Sequence, residues 1–329
     1  MDLPVGTSSP GSSGTKPVPT GRRRNVPASL EARLSDLVFT TGGFSSGSTL
    51  LFTVFRKAGE YYCLYEPLHE RLLEHKYGKL RAYEHHYFVD EYFSEYRGFT
   101  ALTHLHTAMA ATNLFLPAAA PAPELYRYLS YLIGMSFGRN PKVLLKENRL
   151  TFRLGWIRAQ FPAAKVVHVY RDCDAQWKST VRRAQTFYGR QDVGQESVTF
   201  NGMGTANTCD ALAPAFPELA ADRSKTGYER FAKLWELSLA ENERFAHVTV
   251  RYEDLTRDFE GVAREIWEAL GCTAELGPLK QWVVTPENQR AVERTRGLQG
   301  VLRSAGDRAR FRYGRLRMRL DQMLRRSGA

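Results

Sequence analysis

The sequence predicts an α/β protein in which a central, mostly parallel five-stranded sheet is flanked by helices in three layers. Three observations support this prediction. Short runs rich in β-branched and aromatic residues alternate along the chain with longer runs of helical apolar spacing. A glycine-rich turn follows the first of the short runs. The chain of 329 residues is 43% hydrophobic, which suffices for a large core and excludes a wholly disordered protein.

The first elements are read from apolar runs and from the residues that end them. A strand is predicted at 36–41 and a helix at 48–58, where a glycine closes the helix. A second strand at 61–65 is ended by a Glu-Pro pair, because proline cannot donate to a strand ladder. The polar and aromatic residues 68–120 are predicted to form helices joined by loops.

The middle of the chain continues the alternation. An apolar helix is predicted at 124–137, again closed by a glycine, and a third strand at 142–146. A helix at 152–161 precedes a fourth strand at 165–170, whose valines are typical of a buried strand. The next helix is predicted at 174–188.

The last predicted elements complete the sheet. Residues 189–226 are rich in Gly, Ser, Thr and Pro and are predicted to be irregular. A helix at 227–245, a fifth strand at 247–252 and a helix at 259–270 follow. Such alternation implies right-handed βαβ units, and ligands of these sheets bind beyond the carboxyl ends of the strands. The predicted functional residues therefore lie just after each strand.

The two ends of the chain differ from this domain in composition. Residues 1–28 read as a flexible leader, 29–300 as the α/β domain, and 301–329 as an arginine-rich C-terminal helix or tail. Between 290 and 326 there are twelve arginines and three acids, so this stretch carries +9 of the net charge of +11. The tail is expected to pack on the domain; an anionic polysaccharide or membrane surface is the second interpretation, and nucleic acid the third.

Other features exclude several classes of protein. The four cysteines are far apart, which argues against a disulfide-built fold and a zinc ribbon. The histidines at positions 104 and 106, His104 and His106, are expected to have polar or core roles, so no metal is predicted. No apolar signal region or membrane-spanning run is found, and the sequence therefore predicts a cytoplasmic protein.

The turn after the first strand is a predicted anion-binding loop. It matches the P-loop frame G-x-x-x-x-G-K-[ST] from Gly42 onward, with serine in place of the lysine. Backbone amides, a helix N-terminus and hydroxyl groups can hold an anion there without that lysine. The alternative is an ordinary glycine turn before a capped helix. The candidate binding residues are Ser45, Ser46, Gly47, Ser48 and Thr49.

A second candidate anion site follows the fourth strand. Arg171 ends that strand, and Ser179 lies eight residues later on the next helix. An arginine fork and a serine hydroxyl in this setting can converge on one phosphate. A surface ion pair of Arg171 with Asp172 is the simpler explanation when the site is considered alone. Two phosphate sites at neighbouring strand ends, however, suit a nucleotide with phosphates on both its 5′ and 3′ sides.

With these two sites, the sequence resembles the sulfotransferase superfamily, whose sulfuryl donor is 3′-phosphoadenosine 5′-phosphosulfate (PAPS). The resemblance covers roughly residues 36–271 and is closest in motif style to carbohydrate sulfotransferases. It lies in residues 41–51 (TGGFSSGSTLL), 64–69 (LYEPLH), 143–149 (VLLKENR), 165–180 (KVVHVYRDCDAQWKST) and 250–255 (VRYEDL). It implies a P-loop-like fold, PAPS as co-substrate, and transfer without a metal.

The chain departs from the family pattern at two points. The family usually has arginine or lysine where this chain has Ser45, and Lys146 at the end of the third strand is the candidate replacement. Arg296 begins a segment resembling the family's adenine-side element, but the usual following tryptophan is absent. If nothing replaces the loop cation, the protein would bind the nucleotide with little catalysis.

Sulfuryl transfer needs positioning, charge neutralisation and a base for the acceptor's proton. The resemblance places that base at Glu66, and His69 is the alternative because its ordinary pKa suits neutral pH. A structural carboxylate capping the next helix is the other interpretation of Glu66. Arg149 is expected to orient the acceptor or to form a structural ion pair. Tyr252 and Trp235 are expected to be mainly structural.

The sequence thus favours a sulfotransferase that moves the sulfuryl group of PAPS to a hydroxyl or amine, possibly of a glycan. A P-loop kinase is one alternative, although Ser48 replaces its lysine. A PAPS-binding or 3′,5′-ADP-binding protein with little catalysis is the other. The acceptor pocket is expected from residues 68–120 and 189–226.

Overall fold

Five parallel strands form the centre of the fold in a computed structural model. The structure describes residues 31–76, 91–106, 114–188, 199–200, 203–220 and 227–284. The strands are β1 (Leu37–Thr41), β2 (Tyr62–Tyr65), β3 (Val143–Lys146), β4 (Lys165–Tyr170) and β5 (Val248–Arg251). They lie in the order β2-β3-β1-β4-β5, and every pair is parallel. The predicted mostly parallel five-stranded sheet is confirmed.

The register of β1 explains its position at the middle of the sheet. Phe39 of β1 lies opposite Leu145 of β3 on one side and Val166 of β4 on the other. All five residues of β1 are buried. Because successive side chains of a strand point to opposite faces, both faces of the sheet are covered, as expected for a parallel sheet between helical layers.

The helices follow the predicted alternation closely. Their bounds are α1 (Ser48–Ala58), α2 (Leu72–Lys76), α3 (Leu102–Leu105), α4 (Pro123–Phe137), α5 (Leu154–Gln160), α6 (Cys173–Tyr188), α7 (Thr205–Leu212), α8 (Gly227–Phe245), α9 (Tyr252–Arg257) and α10 (Phe259–Leu270). Gly59 and Gly271 end α1 and α10 with φ of 75° and 68°, which only glycine adopts without strain. Short 3-10 turns at Leu34–Asp36, Ser94–Tyr96, Asn148–Leu150, Pro217–Leu219 and Gly277–Trp282 connect some of these elements.

One prediction about the second half of the chain is wrong in part. Residues 189–226 were expected to be irregular, but 205–212 form α7 and a short antiparallel ladder pairs 199–200 with 203–204. Cys209 and Leu212 of α7 are buried in a second apolar cluster with Phe231 of α8. Tertiary packing therefore stabilises a short helix whose threonines, asparagine and aspartate gave only a weak local signal.

The aromatic residues of 91–106 belong to the core. Tyr92, Phe93, Tyr96 and Phe99 are at most 7% exposed, and they pack with Tyr65 or with one another. They serve packing, so they do not form a platform for a flat acceptor. The other rings of this stretch, at 77, 83, 87 and 88, lie outside the described residues.

Other predictions fall partly or wholly outside the described ranges. The leader 1–28, Arg296 and the arginine-rich segment 301–329 are among them, as is much of the expected acceptor pocket. Within the described ranges, no helix combines the length and the apolarity needed to cross a bilayer.

A buried histidine in β4 makes the stability depend on pH. His168 is 2% exposed, and its Nε2 lies 3.2 Å from Nδ2 of Asn242 on α8. Burial lowers the pKa of His168 to about 3. The unfolded chain takes up this proton near its ordinary pKa of about 6.5, so the stabilisation is complete above that pH and is lost as the pH falls towards 3.

We therefore expect acid to destabilise the wild-type protein more than a His168→Gln variant. Between pH 7.5 and 5 the difference in the loss of unfolding free energy should be about 2 kcal/mol. Urea denaturation at the two pH values measures it. His104→Gln, which changes an exposed imidazole on α3, is the matched control and should behave as the wild type. Equal losses in wild type and His168→Gln would contradict the prediction.

Candidate active site

The carboxyl ends of β1 to β5 meet along one edge of the sheet, as parallel strands require. The loop after β1 turns at Ser45, with φ of 65°, and at Gly47, with φ of 97°. The Ser46 amide donates to the Gly43 carbonyl at 3.1 Å, and α1 begins at Ser48. In the first turn of α1 the Leu50 and Leu51 amides donate to the Gly47 carbonyl at 2.9 and 3.3 Å, which leaves the amides of Ser48 and Thr49 as those that can bind an anion.

Two glycines of this loop are required by close contacts. A Cβ on Gly42 would overlap the Val169 carbonyl and the Ser46 hydroxyl. A Cβ on Gly47 would overlap the ring of Tyr252. The loop is therefore held between β4 and the start of α9. These contacts explain why the first and the last glycine of the P-loop frame are glycines.

Three buried hydroxyls lie at the end of β1 and in the loop. The side-chain oxygens of Thr40, Thr41 and Ser46 are shielded from solvent and make no hydrogen bond with the described residues. Buried polar atoms almost always have a partner. The Ser46 hydroxyl and the N-terminus of α1 are donors of the kind that a phosphate or sulfate group needs, so this part of the loop fits an anionic ligand.

The hydroxyls of Ser48 and Thr49 are engaged within the protein. Ser48 donates to Oδ1 of Asn148 at 2.9 Å, and Thr49 shares a hydrogen bond of 3.3 Å with the Tyr65 hydroxyl. They fix α1 to the ends of β3 and β2. Of the predicted loop hydroxyls, Ser46 is the buried one that makes no hydrogen bond with the described residues.

Arg171 lies on the same rim as the loop. Its guanidinium carbon is 4.8 Å from the centre of the Tyr252 ring, and the same ring lies against Gly47. Nε of Arg171 lies 3.7 Å from Oε1 of Glu253, and its carbonyl accepts a hydrogen bond from Trp235 at 3.0 Å. The two predicted anion sites are thus neighbours joined by one tyrosine.

Helix α6 also links the two sites. Gln176 donates from Nε2 to the Phe44 carbonyl at 2.9 Å, which directs this face of α6 toward the loop. Ser179 is three residues further along and therefore shares that face. No sequence pattern identifies Gln176 as a residue that positions the loop, because its partner is a backbone oxygen 132 positions away.

Glu66 lies at the centre of a buried charge cluster at the end of β2. Its Oε1 accepts from Lys146 Nζ at 2.8 Å and from Asn148 Nδ2 at 3.3 Å, and its Oε2 lies 3.4 Å from Arg149. Burial alone would raise the pKa of Glu66, but Lys146 and Arg149 outweigh it and hold the pKa well below its ordinary value. Glu66 is therefore an ionised carboxylate at neutral pH.

Lys146, the predicted replacement for the loop cation, is fully buried. Besides the ion pair with Glu66, its ammonium lies 4.5 Å from the centre of the Tyr65 ring. Burial lowers the pKa of Lys146, although Glu66 opposes the shift. Lys146 is therefore first of all the ion-pair partner of Glu66.

His69, the alternative base, is buried beside the cluster. Its Nδ1 accepts from the Arg71 amide at 3.0 Å. Burial lowers the pKa of His69 to about 4, despite the opposing effect of Glu66. The imidazole is neutral at pH 7, and the lone pair that a base would use is already engaged.

The sequence left two roles open for Arg149, which were to orient the acceptor or to form a structural ion pair. Its guanidinium contacts three carboxylates, those of Glu66, Glu70 and Glu147, at 3.4, 2.5 and 3.4 Å. Glu147 is structural, because Oε2 accepts from the Leu68 amide at 2.6 Å and so ties the turn after β2 to β3. Among the described residues no group of three or more acidic, histidine or cysteine side chains could hold a metal ion.

The contact between Gly47 and Tyr252 leads to a testable expectation. Gly47→Ala places a Cβ at a positive φ and against the Tyr252 ring, whereas Gly59→Ala meets a positive φ in open space. Gly59→Ala should lower the free energy of unfolding by about 1 kcal/mol and Gly47→Ala by about 2–4 kcal/mol. Urea denaturation of both variants measures this. Equal losses would mean that the tyrosine moves aside at no cost.

Comparison with known proteins identifies the family of this chain. A family model described as "Sulfotransferase family" matches residues 37–275. Two curated relatives, both omega-hydroxy-beta-dihydromenaquinone-9 sulfotransferase Stf3, come from Mycobacterium bovis and Mycobacterium tuberculosis. Each is 28% identical over 148 residues, which is 45% of this chain and 32% of the relative. The match thus spans about a third of the length of these relatives.

Three solved structures are also similar. The sulfotransferase domain from the curacin biosynthetic pathway is 14% identical, with coverage of 74% of this chain and 76% of that one and a TM-score of 0.39. Sulfotransferase STF9 from Mycobacterium avium is 15% identical, with coverage of 76% of this chain and 67% of that one and a TM-score of 0.42. Sulfotransferase STF1 from Mycobacterium tuberculosis H37Rv is 18% identical, with coverage of 74% of this chain and 69% of that one and a TM-score of 0.41. Since the family model covers the whole sheet and more than half of the chain, the chain belongs to the sulfotransferase family.

Proposed function

We propose that this protein transfers the sulfuryl group of PAPS to a hydroxyl or amine acceptor, with Glu66 as the base. The observation that carries the proposal is the adjacency of the loop at 42–47 and Arg171, which Tyr252 joins on one rim. A nucleotide with a 5′-phosphosulfate and a 3′-phosphate needs two anion sites on one side of the sheet. Family membership supports sulfuryl transfer as the chemistry.

The chain's own groups divide between the two ends of the nucleotide. The loop amides and the Ser46 hydroxyl would bind the 5′-phosphosulfate, with Ser45, Gly47, Ser48 and Thr49 shaping the loop. These groups are donors in a fixed arrangement, which suits an anion.

The 3′-phosphate would lie against Arg171 and Ser179. Nε of Arg171 makes no hydrogen bond with the described residues, and its side chain is 27% exposed. A guanidinium with a free donor at a crevice can form a charge-assisted hydrogen bond with a phosphate. Arg296 remains a proposal for the adenine side, from sequence alone.

In the proposed reaction the acceptor oxygen or nitrogen attacks the sulfur in line with the departing phosphate. A new S–O or S–N bond forms, the S–O bond to the 5′-phosphate breaks, and 3′,5′-ADP leaves. The acceptor's proton goes to the Glu66 carboxylate. The protein's part is to align the groups, exclude water and neutralise charge.

The state of Glu66 supports this role. Its pKa lies well below the ordinary value, so it is in the proton-accepting form throughout the neutral range. Lys146 and Arg149 limit its basicity, because they stabilise the charged form. An anionic sulfuryl group that draws on the same cations would raise the proton affinity of Glu66. His69 is less suited, since its Nδ1 already accepts the Arg71 amide.

The acceptor is the least constrained part of the proposal. The curated relatives carry in their name a hydroxylated dihydromenaquinone, which supports testing lipid alcohols as acceptors. The motif style supports testing glycans. Both belong in the same panel, together with phenols and amines.

Two rival functions are tested by nucleotide binding. A P-loop kinase would use ATP, but Ser48 stands at the lysine position and its hydroxyl is bonded to Asn148. A nucleotide-binding protein with little catalysis remains the second candidate, because residues 42–49 contain no cationic side chain.

We expect 3′,5′-ADP to raise the melting temperature and ATP to have a smaller effect. Arg171→Ala should weaken 3′,5′-ADP binding about ten- to a hundredfold, and Ser179→Ala about tenfold or less, as the loss of a charged and a neutral hydrogen bond implies. Thermal shift and calorimetry measure these effects. Arg158→Ala is the control, since Arg158 donates to the Ala164 carbonyl near the opposite end of β4. Stabilisation by ATP alone would instead favour the kinase.

The base assignment is tested by Glu66→Gln, which keeps the size of the side chain and an oxygen for Lys146. We expect it to be less stable than the wild type, because the Lys146 charge stays buried without its partner, but to bind 3′,5′-ADP with affinity close to the wild type and to lose about 10²–10⁴ in transfer rate. The assay follows label from sulfate-labelled PAPS into the acceptor panel. Retained nucleotide binding is the control for correct folding. Full turnover by Glu66→Gln would show that another group takes the proton.

A further inference from the structure

We infer that Arg149 is the cation that faces the transferred sulfuryl group, and that Glu70 is the partner which this group displaces. The inference rests on the proposed function and deepens it. It assigns a catalytic residue outside the anion-binding loop.

The loop itself lacks the charge that the reaction needs. A phosphosulfate is anionic, and further negative charge develops on its leaving oxygen during transfer. Residues 42–49 contain no lysine, arginine or histidine. Amides and hydroxyls give only partial charges, so a full positive charge must reach the loop from another element.

Two other cations near the rim are committed elsewhere. Lys146 is fully buried between Glu66 and the Tyr65 ring, at 2.8 and 4.5 Å. Arg171 stacks on Tyr252 and lies beside Glu253, on the side proposed for the 3′-phosphate. Among the contacts of the described residues, neither of these two cations touches both the loop and the base.

Arg149 does lie between them. Its guanidinium carbon is 5.8 Å from the centre of the Phe44 ring in the loop, and its NH1 is 3.4 Å from Oε2 of Glu66. Asn148, the preceding residue, joins the same two elements, because it accepts from Ser48 and donates to Glu66. Arg149 therefore contacts both the loop, at Phe44, and the proposed base, Glu66.

The guanidinium also has unused hydrogen-bonding capacity. Nε of Arg149 is shielded from solvent and makes no hydrogen bond with the described residues. Such a buried donor calls for a partner. Burial favours loss of its charge, but Glu147, Glu66 and Glu70 outweigh it and raise the pKa of Arg149, so the cation persists.

Glu70 differs from the other two carboxylates of the cluster. The side chains of Glu66 and Glu147 are 6% and 1% exposed, whereas that of Glu70 is 43% exposed while it contacts NH2 at 2.5 Å. A carboxylate that reaches water can leave the guanidinium at little cost. A sulfuryl oxygen, with the same charge and similar geometry, can then take its place.

The experiment compares wild type, Arg149→Gln, Ser45→Lys and the double variant. Calorimetry measures affinity for PAPS and for 3′,5′-ADP, and single-turnover assays measure transfer. Arg149→Gln should lower the transfer rate about 10²–10³-fold, as loss of one charge-stabilising donor does. PAPS affinity should fall about tenfold, because a charged contact is lost, while 3′,5′-ADP affinity stays within about twofold.

The rescue is the decisive part of the design. Ser45→Lys returns a cation to the loop. It should raise the transfer rate of the Arg149→Gln variant at least about tenfold and that of the wild type far less. Glu70→Gln removes the competing carboxylate and should raise PAPS affinity several-fold. Arg153→Gln is the matched control, because it removes an equally buried arginine one turn further along and should leave the ratio of PAPS to 3′,5′-ADP affinity unchanged.

Several results would overturn the inference. Equal weakening of PAPS and 3′,5′-ADP by Arg149→Gln would mean a structural role, and equal effects of Ser45→Lys in both backgrounds would mean that the two positions act separately. If Arg149→Gln does not fold, Arg149→Lys is used, with the same rescue expected at smaller amplitude. Failure of the wild type to bind either nucleotide would end the proposed function as well, and is recognised without any variant.

Discussion

Lys146 and Glu66 face each other across the carboxyl ends of two neighbouring strands, 2.8 Å apart and shielded from water. Removing either charge from such a pair leaves the other buried and uncompensated, at a cost of about 3–5 kcal/mol. The pair thereby fixes the turn after β2 against the end of β3. Arg149 and Asn148 attach to the same carboxylate, so the whole charge cluster depends on this contact.

The parallel sheet gives the second constraint. All five strands end on one edge, and the central strand β1 presents its loop between the ends of β3 and β4. The loop therefore has the charge cluster on one side and Arg171 on the other. Tyr252 fills the space between Gly47 and Arg171, which explains why the residue after β5 contributes to a site built from other strands.

The distribution of charge along this edge separates binding from chemistry. Arg171 lies on the side proposed for the 3′-phosphate, while Lys146 and Arg149 lie with Glu66 on the side proposed for transfer. Between them the loop carries hydroxyls and amides alone. The positive charge on the side proposed for transfer thus comes from β3 and its following turn, where buried ion pairs set its geometry.

The sequence by itself determined the sheet and most helix bounds, and it predicted the two candidate anion sites. Helix α1 at Ser48–Ala58 and strand β4 at Lys165–Tyr170 begin and end as predicted, because apolar runs and closing glycines act locally. The site positions followed from a rule of parallel sheets that needs only the element order.

Tertiary structure alone decided the partners of the charged groups. Lys146 is bonded to a carboxylate 80 positions away, Ser48 to an amide 100 positions away, and Gln176 to a carbonyl 132 positions away. Helix α7 likewise forms because Cys209 and Leu212 find an apolar surface supplied by other elements. Side-chain contacts between distant segments depend on how the elements pack in space, and neither periodicity nor spacing along the chain contains that information.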